Sequence, residues 1–548
     1  MMEMVTENNL QNNMENHPQR DNGHQGGARS SSILDSPKGL YVLIGIGLLW
    51  KAFLLFSSAS KAPNTDGVIY MMAAKAMTEG RFLDSLNIYP MPAYPAMLAL
   101  LHSLGMEWSL SGRIISSLFL LLAQIPIYQI TRRWFGPRAA FWATLAFMLP
   151  YFSNKMAVSI YRGPPFIFFF LVAIYALLIT LETPNTRRML AAFSLSLVPF
   201  CFRIEGAFII PLFPLALLFY SVREKGLKGL PQIVAFLWLV SIVAIGLMFF
   251  GAPIELNRLS SITETVNHLV HLDFLHQYKE IYHQIESLEP LSPDPSQNQN
   301  FAEIARHFLW LIYLIGLIQC MAATFYPFYL IPLFYGLKGT KMDRERSFVC
   351  LTFFIYFLIL YFHIITHDYS GKRFVWGAVS LLYPWVGIGS VILLNRPIKP
   401  IPKWIYSAIF LALFFFPVAK YPRLFERPDH VSVEAGMWLA NSPCKGLRMI
   451  GNDIRIPFIA GIPIEGMDKG DIYKNFVSDT KEYAPIEGMA LEEHRDLIIL
   501  KLPVKKSLHF PRFSKYILIR KFQGKRRIVG VFGTPKAVKL CGKGGGIS

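Results

Sequence analysis

The sequence predicts a mostly α, polytopic helical membrane protein with a large first extracytoplasmic loop and a small C-terminal α/β extracytoplasmic domain. Three observations lead there. Hydrophobic residues make up 53% of the 548 positions and charged residues only 16%, with a mean hydropathy of +0.37; a soluble chain of this length has no use for so much apolar surface. The apolar residues come in runs, about eleven of which approach the roughly 20 residues a helix needs to cross the hydrocarbon core. The basic residues gather in short loops that alternate with less basic ones, as the positive-inside rule requires.

Residues 1–38 are rich in Asn, Gln, Gly and Ser and read as a disordered cytoplasmic tail. The tail is too polar for a signal peptide, and the run after it has no evident cleavage site. Residues 39–420 form the transmembrane part. Its first run is Gly39–Phe56; others lie at 111–131, 138–152, 163–181, 188–202, 205–222, 230–250, 313–337, 347–366, 374–394 and 404–419. The shorter run 93–105 suits a re-entrant or interfacial helix. The basic loops holding Arg132-Arg133, Arg187-Arg188, Arg223 to Lys228, Lys338 to Arg346 and Arg396 to Lys403 define the cytoplasmic side, with the N-terminus inside and the C-terminus outside. The opposite face then holds the first outer loop 57–110, the segment 153–162, the turn 203–205, the long loop 251–312 and the turn 367–373.

From residue 421 to 548 the composition is mixed polar, with β-type runs at Leu497–Leu502, Tyr516–Ile519 and Arg527–Phe532. There is no internal repeat of the kind many transporters carry. The net charge of +18 suits an anionic membrane surface; with no basic helix or finger motif, nucleic acid is not an expected partner. The five cysteines form no close CxxC pair. Cys444 and Cys541 both fall in the extracytoplasmic part, where a disulfide is chemically open to them.

Charges at the membrane are costly and tend to be functional, and the unusual ones here share the outer face. Asp66 lies in the first outer loop, Arg203 and Glu205 in a tight turn, and His367, Asp368, Lys372 and Arg373 in another. An acid with several cations suits a reaction on an anionic lipid headgroup. Arginines can hold a leaving phosphate in bidentate fashion, and a carboxylate can take the proton of an attacking nucleophile. Asp66 is the candidate base. Bland readings stand beside each: a helix N-cap for Asp66, a local pair for Arg203 and Glu205, and a snorkelling helix end for Lys372 and Arg373. Tyr161 and Arg162 fit an interfacial belt, with Arg162 a further substrate-contact candidate. After Asp66, Tyr70, Ala74 and Met77 share one helical face, predicting an amphipathic helix along the outer surface that stops at Gly80, before a Pro-set segment from Tyr89 through Tyr94 to Pro95. His268 and His271 have metal-ligand spacing, but a surface helix explains them as well. The long loop suits a gate over the substrate entrance, with Pro293–Asn300 its flexible part.

The stretch Asp66-Gly67, Tyr70, Ala74, Gly80-Arg81-Phe82, Tyr94-Pro95 and Leu98 resembles the first extracytoplasmic loop of the GT-C glycosyltransferases. The nearest group is that of the protein O-mannosyltransferases and lipid A aminoarabinose transferases. Glu107 to Arg113, Arg132-Arg133-Trp134-Phe135-Gly136, Arg203-Ile204-Glu205-Gly206 and His367 to Arg373-Phe374 resemble later pieces in the same order. The resemblance spans residues 40–395. It implies an inverting transfer from a polyprenyl-phosphate sugar to a lipid, glycan or protein acceptor, with Asp66 as base. It further implies Arg203, Arg373 and Lys372 as phosphate contacts, and Tyr70, Glu205, His367, Tyr94 and Arg162 as substrate contacts. Many relatives have Asp-Glu where this chain has Asp66-Gly67, which puts a second carboxylate or a divalent metal there in doubt. Some also have an acid near Tyr161-Arg162, and this chain has none. A transporter or flippase, or a surface-polysaccharide polymerase or ligase, is the competing class; the former would place charge in mid-span. The sequence has no Asn-x-Ser/Thr sequon, which leans toward a bacterial inner membrane.

Overall fold

The structure is a computed structural model and describes residues 36, 38–58, 61–183, 185–212, 214, 275–287, 295–367, 371–395, 402–426, 430–468, 472–475, 484–504 and 511–541. The tail before Ser36, the run 230–250, His268, His271 and Asp368 lie outside the described residues. Among the described residues, five helical stretches are long and apolar enough to cross a membrane: Lys38–Ser58, Trp108–Met148, Gly163–Glu182, Arg344–His367 and Lys403–Leu424. Two bent pairs, at 67° and 63°, bring the number to seven if each is one span. The chain is a membrane protein by this measure.

In chain order the helices are α1 (Lys38–Ser58), α2 (Thr65–Thr78), α3 (Phe82–Ile88), α4 (Ala93–Ser103), α5 (Trp108–Leu122), α6 (Gln124–Met148), α7 (Tyr151–Ala157), α8 (Gly163–Glu182) and α9 (Thr186–Leu197). After them come α10 (His276–Glu286), α11 (Pro295–His307), α12 (Leu309–Phe325), α13 (Leu330–Lys338), α14 (Arg344–His367), α15 (Lys372–Ser380), α16 (Tyr383–Asn395) and α17 (Lys403–Phe415). The apolar runs 111–131 and 138–152 correspond to α5 and α6, and the chain leaves helical geometry between them at Gly136-Pro137. The run 313–337, read as one span, is broken. Pro327 excludes its predecessor from the helical region, and Tyr326 takes φ 81° between α12 and α13. The run 374–394 bends between α15 and α16, where Pro384 removes a backbone donor. The segment Pro293–Asn300, expected to be flexible, overlaps helix α11.

Helix α2 is not amphipathic. Gly67, Val68, Tyr70, Met71, Met72, Ala73, Ala74 and Ala76 are all buried, because α4, α5 and the C-terminal domain each pack on it. The expected stop is present: Arg81 N–H donates to Ala76 O at 2.8 Å and Gly80 N–H to Met77 O at 3.0 Å, with Gly80 at φ 74°, a Schellman motif.

Two knots fix the helical body. At one end, Arg133 donates to Glu345 at 2.9 and 2.5 Å and to Glu182 at 2.9 Å, tying α6 to α14 and α8. At the other, Asn154 Oδ1 accepts from buried Lys51 at 2.6 Å and from Trp50 at 2.9 Å. Its Nδ2 donates to Tyr421 at 3.0 Å, so a charge inside an apolar helix is satisfied by one amide. Between the knots α16 nests against α13 and α6 through small residues, as bilayer helices do. A Cβ on Gly389 would sit 1.7 Å from Pro332 O, and one on Gly387 2.2 Å from Ala139 O.

The C-terminal part carries a five-stranded sheet in the order β2-β1-β3-β5-β4, with β1 (Met449–Gly451), β2 (Tyr473–Asn475), β3 (Leu497–Pro503), β4 (Ile517–Gln523) and β5 (Arg527–Gly533). The first three pair in parallel and the last three antiparallel. Helices α18 (His430–Ala440), α19 (Arg455–Ala460), α20 (Ala484–Glu492) and α21 (Pro535–Cys541) surround it. The runs expected as strands are β3, β4 and β5; β1 and β2, at three residues each, are too short to carry an alternation. Cys444 and Cys541 form a disulfide, with Cα atoms 5.5 Å apart. Lys75 of α2 reaches Asp468 at 3.1 Å and docks this part on the first loop. Buried Asp453 accepts from Arg455 at 2.6 and 2.8 Å and from Ser432 at 2.7 Å, with Lys501 at 3.3 Å.

Two outcomes follow from this packing. Gly389→Ala should lower stability by about 1–3 kcal/mol through overpacking, read as an earlier thermal transition in detergent. Burial opposes the Asp453 charge, but Arg455 and Lys501 outweigh it and hold its pKa below the usual carboxyl value. The stability this lends is present above the unfolded pKa of about 3.9 and is lost as pH falls through the lower folded value. Near-ultraviolet circular dichroism should therefore show acid loss of C-terminal packing beginning below about pH 4, and Asp453→Asn should weaken that packing at pH 7 by leaving Arg455 uncompensated.

Candidate active site

The site begins where α2 begins. Asn64 is the N-cap residue, with φ −74° and ψ 158°, yet its side chain does not cap. Its Oδ1 accepts from Ile160 N–H at 3.0 Å and its Nδ2 donates to Ile160 O at 3.1 Å. Gly67 lets the chains meet: a Cβ there would lie 2.8 Å from Ile160 Cβ. Arg113, 2% exposed, donates to Ser58 O at 2.6 Å and Lys61 O at 2.5 Å, fixing the entry to the same loop. Asp66 thus sits in the first turn of α2, where a carboxylate is favoured, but it is not the cap. Its partner is Arg373 Nη1, in the first turn of α15.

Arg373 is itself held. Its carbonyl accepts from Arg203 Nη1 at 3.0 Å, and its guanidinium lies 5.1 Å from the Phe374 ring centroid. Arg203, 2% exposed, donates to Glu205 at 3.2 and 2.5 Å and packs 4.9 Å from Phe374 and 5.5 Å from Phe166. Arg162 donates to Phe202 O at 3.2 Å and lies 5.1 Å from the Tyr89 ring centroid. Two buried groups here lack acceptors among the described residues, Arg373 Nε and Tyr89 Oη.

These residues surround a cavity of about 160 Å³ lined by Asp66, Tyr70, Tyr89, Arg162, Arg203 and Arg373, with Tyr161 and Trp376 among the rest. Burial raises the Tyr70 phenol above its usual pKa, so it is a neutral hydroxyl. A second cavity of about 480 Å³ shares Asp66, Tyr161 and Arg373 with the first and otherwise has its own walls, partly from the C-terminal domain. The Asp66–Arg373 pair therefore stands where two cavities meet. Such a site can hold an anion on its guanidinium groups and accept a proton on its carboxylate.

Five residues singled out from sequence come together in the smaller cavity: Asp66, Tyr70, Arg162, Arg203 and Arg373. Two others support it. Glu205 holds Arg203, and Tyr94 packs edge-on to Tyr70 at 5.2 Å while donating to Gly112 O at 3.3 Å. Lys372 and His367 line neither cavity. Lys372 Nζ reaches Ala323 O at 3.4 Å, and exposed His367 lies 2.7 Å from Thr366 Oγ1. Sequence reasoning passed over Tyr89, Trp376 and Asn64. All three are neutral, so a search for stranded charge could not find them. Among the described residues no three His, Cys, Asp or Glu side chains are placed to hold a metal ion. With Arg373 on Asp66 and Gly67 beside it, the described residues at this point do not fit one.

Comparison with known proteins follows the same line. Residues 90–248 match the family described as dolichyl-phosphate-mannose-protein mannosyltransferase. No protein of curated function matches the sequence. Among solved structures, ArnT from Cupriavidus metallidurans bound to undecaprenyl phosphate superposes with a TM-score of 0.49 at 14% identity, over 90% of this chain and 98% of that one. The Archaeoglobus fulgidus oligosaccharyltransferase, tethered to an acceptor peptide containing the NVT sequon, superposes with a TM-score of 0.50 at 11% identity, over 86% of this chain and 70% of that one. The mannosyltransferase match, together with the oligosaccharyltransferase-like fold, bears out the sequence's resemblance to the GT-C membrane glycosyltransferases.

Proposed function

We propose that this chain is an inverting glycosyltransferase that moves a hexose or pentose from a polyprenyl-phosphate donor to an acceptor at the extracytoplasmic face. The observation that carries the reading is the Asp66–Arg373 pair at the junction of two cavities. The smaller cavity takes the donor's phosphate and sugar. Arg203 and Arg373 face the phosphate, and the spare Nε–H of Arg373 and hydroxyl of Tyr89 are donors in want of an acceptor. The name of the matching mannosyltransferase family supports a polyprenyl-phosphate sugar as the donor class.

The reaction is a single displacement. The acceptor's oxygen attacks the anomeric carbon as the carbon–oxygen bond to phosphate breaks, which inverts that centre. The electron pair leaves with the phosphate, and the fixed guanidinium charges stabilise it as it grows. Asp66 takes the proton from the acceptor. In the resting protein Arg373 occupies the Asp66 carboxylate. A bound phosphate competes for that guanidinium and releases the carboxylate to act as base. The Arg133–Glu345 knot belongs to the end rich in Lys and Arg, which supports a cytoplasmic assignment for it and an outer assignment for the site. The membrane we assign is the bacterial inner membrane.

Transfer of radiolabelled sugar from undecaprenyl-phosphate donors should fall by about 10²–10⁴-fold in Asp66→Asn, the range of a lost general base, with thermal stability near wild type. Undiminished transfer would remove Asp66 from the mechanism. Asn64→Ala should keep donor binding and lower the transfer rate by roughly 10–100-fold, because a displacement near 1 Å at the base costs about that much. A rate equal to wild type would show that the Ile160 clamp does not position Asp66.

A further inference from the structure

The two cavities share three lining residues, and the transferase reading uses only two of them. Asp66 and Arg373 are bonded to each other and serve the proton and the phosphate. The third is Tyr161, which from sequence fits an interfacial belt. It is half-buried and walls the cavity of about 160 Å³ on one side and that of about 480 Å³ on the other. The ion pair and this tyrosine therefore frame the place where the cavities meet.

The backbone beneath that side chain is fastened on both sides. Asn64 holds both polar main-chain groups of Ile160, at 3.0 and 3.1 Å. The Ser116 hydroxyl of α5 accepts from Tyr161 N–H and donates to Tyr161 O, both at 3.3 Å. Its neighbour Ser117 donates to Ala157 O at 2.8 Å, and Arg162 donates onward to Phe202 O at 3.2 Å. With the main chain held, what remains free to set the opening at residue 161 is the ring. A phenol is bulky and keeps to few rotamers, so it makes a defined post. A transferase has use for one. An anomeric carbon that is losing its phosphate takes any oxygen whose proton the base can accept, and keeping water out is what prevents hydrolysis. Asp66 lines the larger cavity as well as the smaller, so it meets nucleophiles from that side.

We propose that Tyr161 is a specificity-determining residue whose ring sets the opening between the two cavities, and so selects which oxygen nucleophile reaches the anomeric carbon beside Asp66. When water passes, its oxygen bonds to that carbon and the bond from carbon to the phosphate oxygen breaks. The electron pair leaves with the phosphate, and Asp66 takes the proton. The products are free sugar and polyprenyl phosphate, and the acceptor stays unmodified. The chemistry rests on the transferase reading; the opening does not.

Two ratios test this, because a ratio cancels any loss of folded protein. The first needs no sugar. Ile69 lines the smaller cavity and not the larger. The thiol of Ile69→Cys is labelled in the full-length protein with methyl and with benzyl methanethiosulfonate, read by mass spectrometry of the peptide that carries it. Adding Tyr161→Ala should raise benzyl over methyl labelling by about tenfold or more, the scale on which a pocket wall tells neighbouring sizes apart. Tyr161→Phe should restore the ratio seen with tyrosine. An unchanged ratio in Tyr161→Ala would overturn the opening. The second ratio uses radiolabelled undecaprenyl-phosphate mannose with methanol or 2-propanol as the acceptor. Tyr161→Ala should raise 2-propyl over methyl mannoside by about the same factor, and should release more free mannose when no alcohol is present. Labelling that responds while these products do not would overturn the selection of nucleophile. Tyr161→Phe behaving like Tyr161→Ala would overturn the role of the ring in favour of the hydroxyl. A labelling response with no donor turned over would sink the transferase reading, and with it the selection, while the opening stands.

Discussion

The contact on which the rest of the site depends is the ion pair between Asp66 and Arg373, which closes a separation of 307 residues. Each partner sits in the first turn of a helix, so neither depends on a free loop for its position. Asn64 and Ile160 anchor one helix; Arg203, bound through the Arg373 carbonyl, anchors the other. The pair is partly hydrated, with side chains 30% and 39% exposed. Water therefore bears some of the desolvation cost that would make a fully buried pair a liability, and leaves it exchangeable. A pair sealed from solvent would be a strut; this one can trade partners.

That exchangeability separates the roles of the two arginines. Arg203 is enclosed by Glu205 and two phenyl rings and contributes a charge that does not move. Arg373 has a buried donor without an acceptor and a carboxylate that competes with any incoming anion. One arginine supplies a fixed field and the other a response. The second cavity meets the first at that residue, so an anion on either side would meet the same guanidinium.

Much of this was legible in the sequence because charge stranded beside apolar runs is costly wherever the chain folds. Asp66, Arg203 and Arg373 announce themselves that way, and so does the local hold of Glu205 on Arg203. The neutral members of the site could not. Tyr89 and Trp376 look like any aromatic at a membrane boundary, and Asn64 looks like a cap. Lys372, beside Arg373 on α15, and His367, at the end of α14, line neither cavity. The apolar runs 313–337 and 374–394 are interrupted as helices near proline, at Tyr326-Pro327 and before Pro384, because apolarity carries no record of a break in hydrogen bonding. The amphipathic expectation for α2 failed because α3, α4 and α5 pack on it from several sides and the C-terminal domain adds a further contact. The strands that were foreseen are seven residues long, and those that were not are three.

Ile160 limits what the site can become. It is wholly buried between two glycines: a Cβ on Gly67 would lie 2.8 Å from its Cβ, and one on Gly112 2.5 Å from its Cγ2. A glutamate at position 67 would set a second carboxylate beside Asp66. A lineage could not arrive at that second carboxylate by changing residue 67 alone, since the new side chain would occupy the space of Ile160. Nor could it shrink residue 160 first without opening a void against α5. The three positions are sterically coupled, so no single substitution converts the one-acid site into a two-acid one.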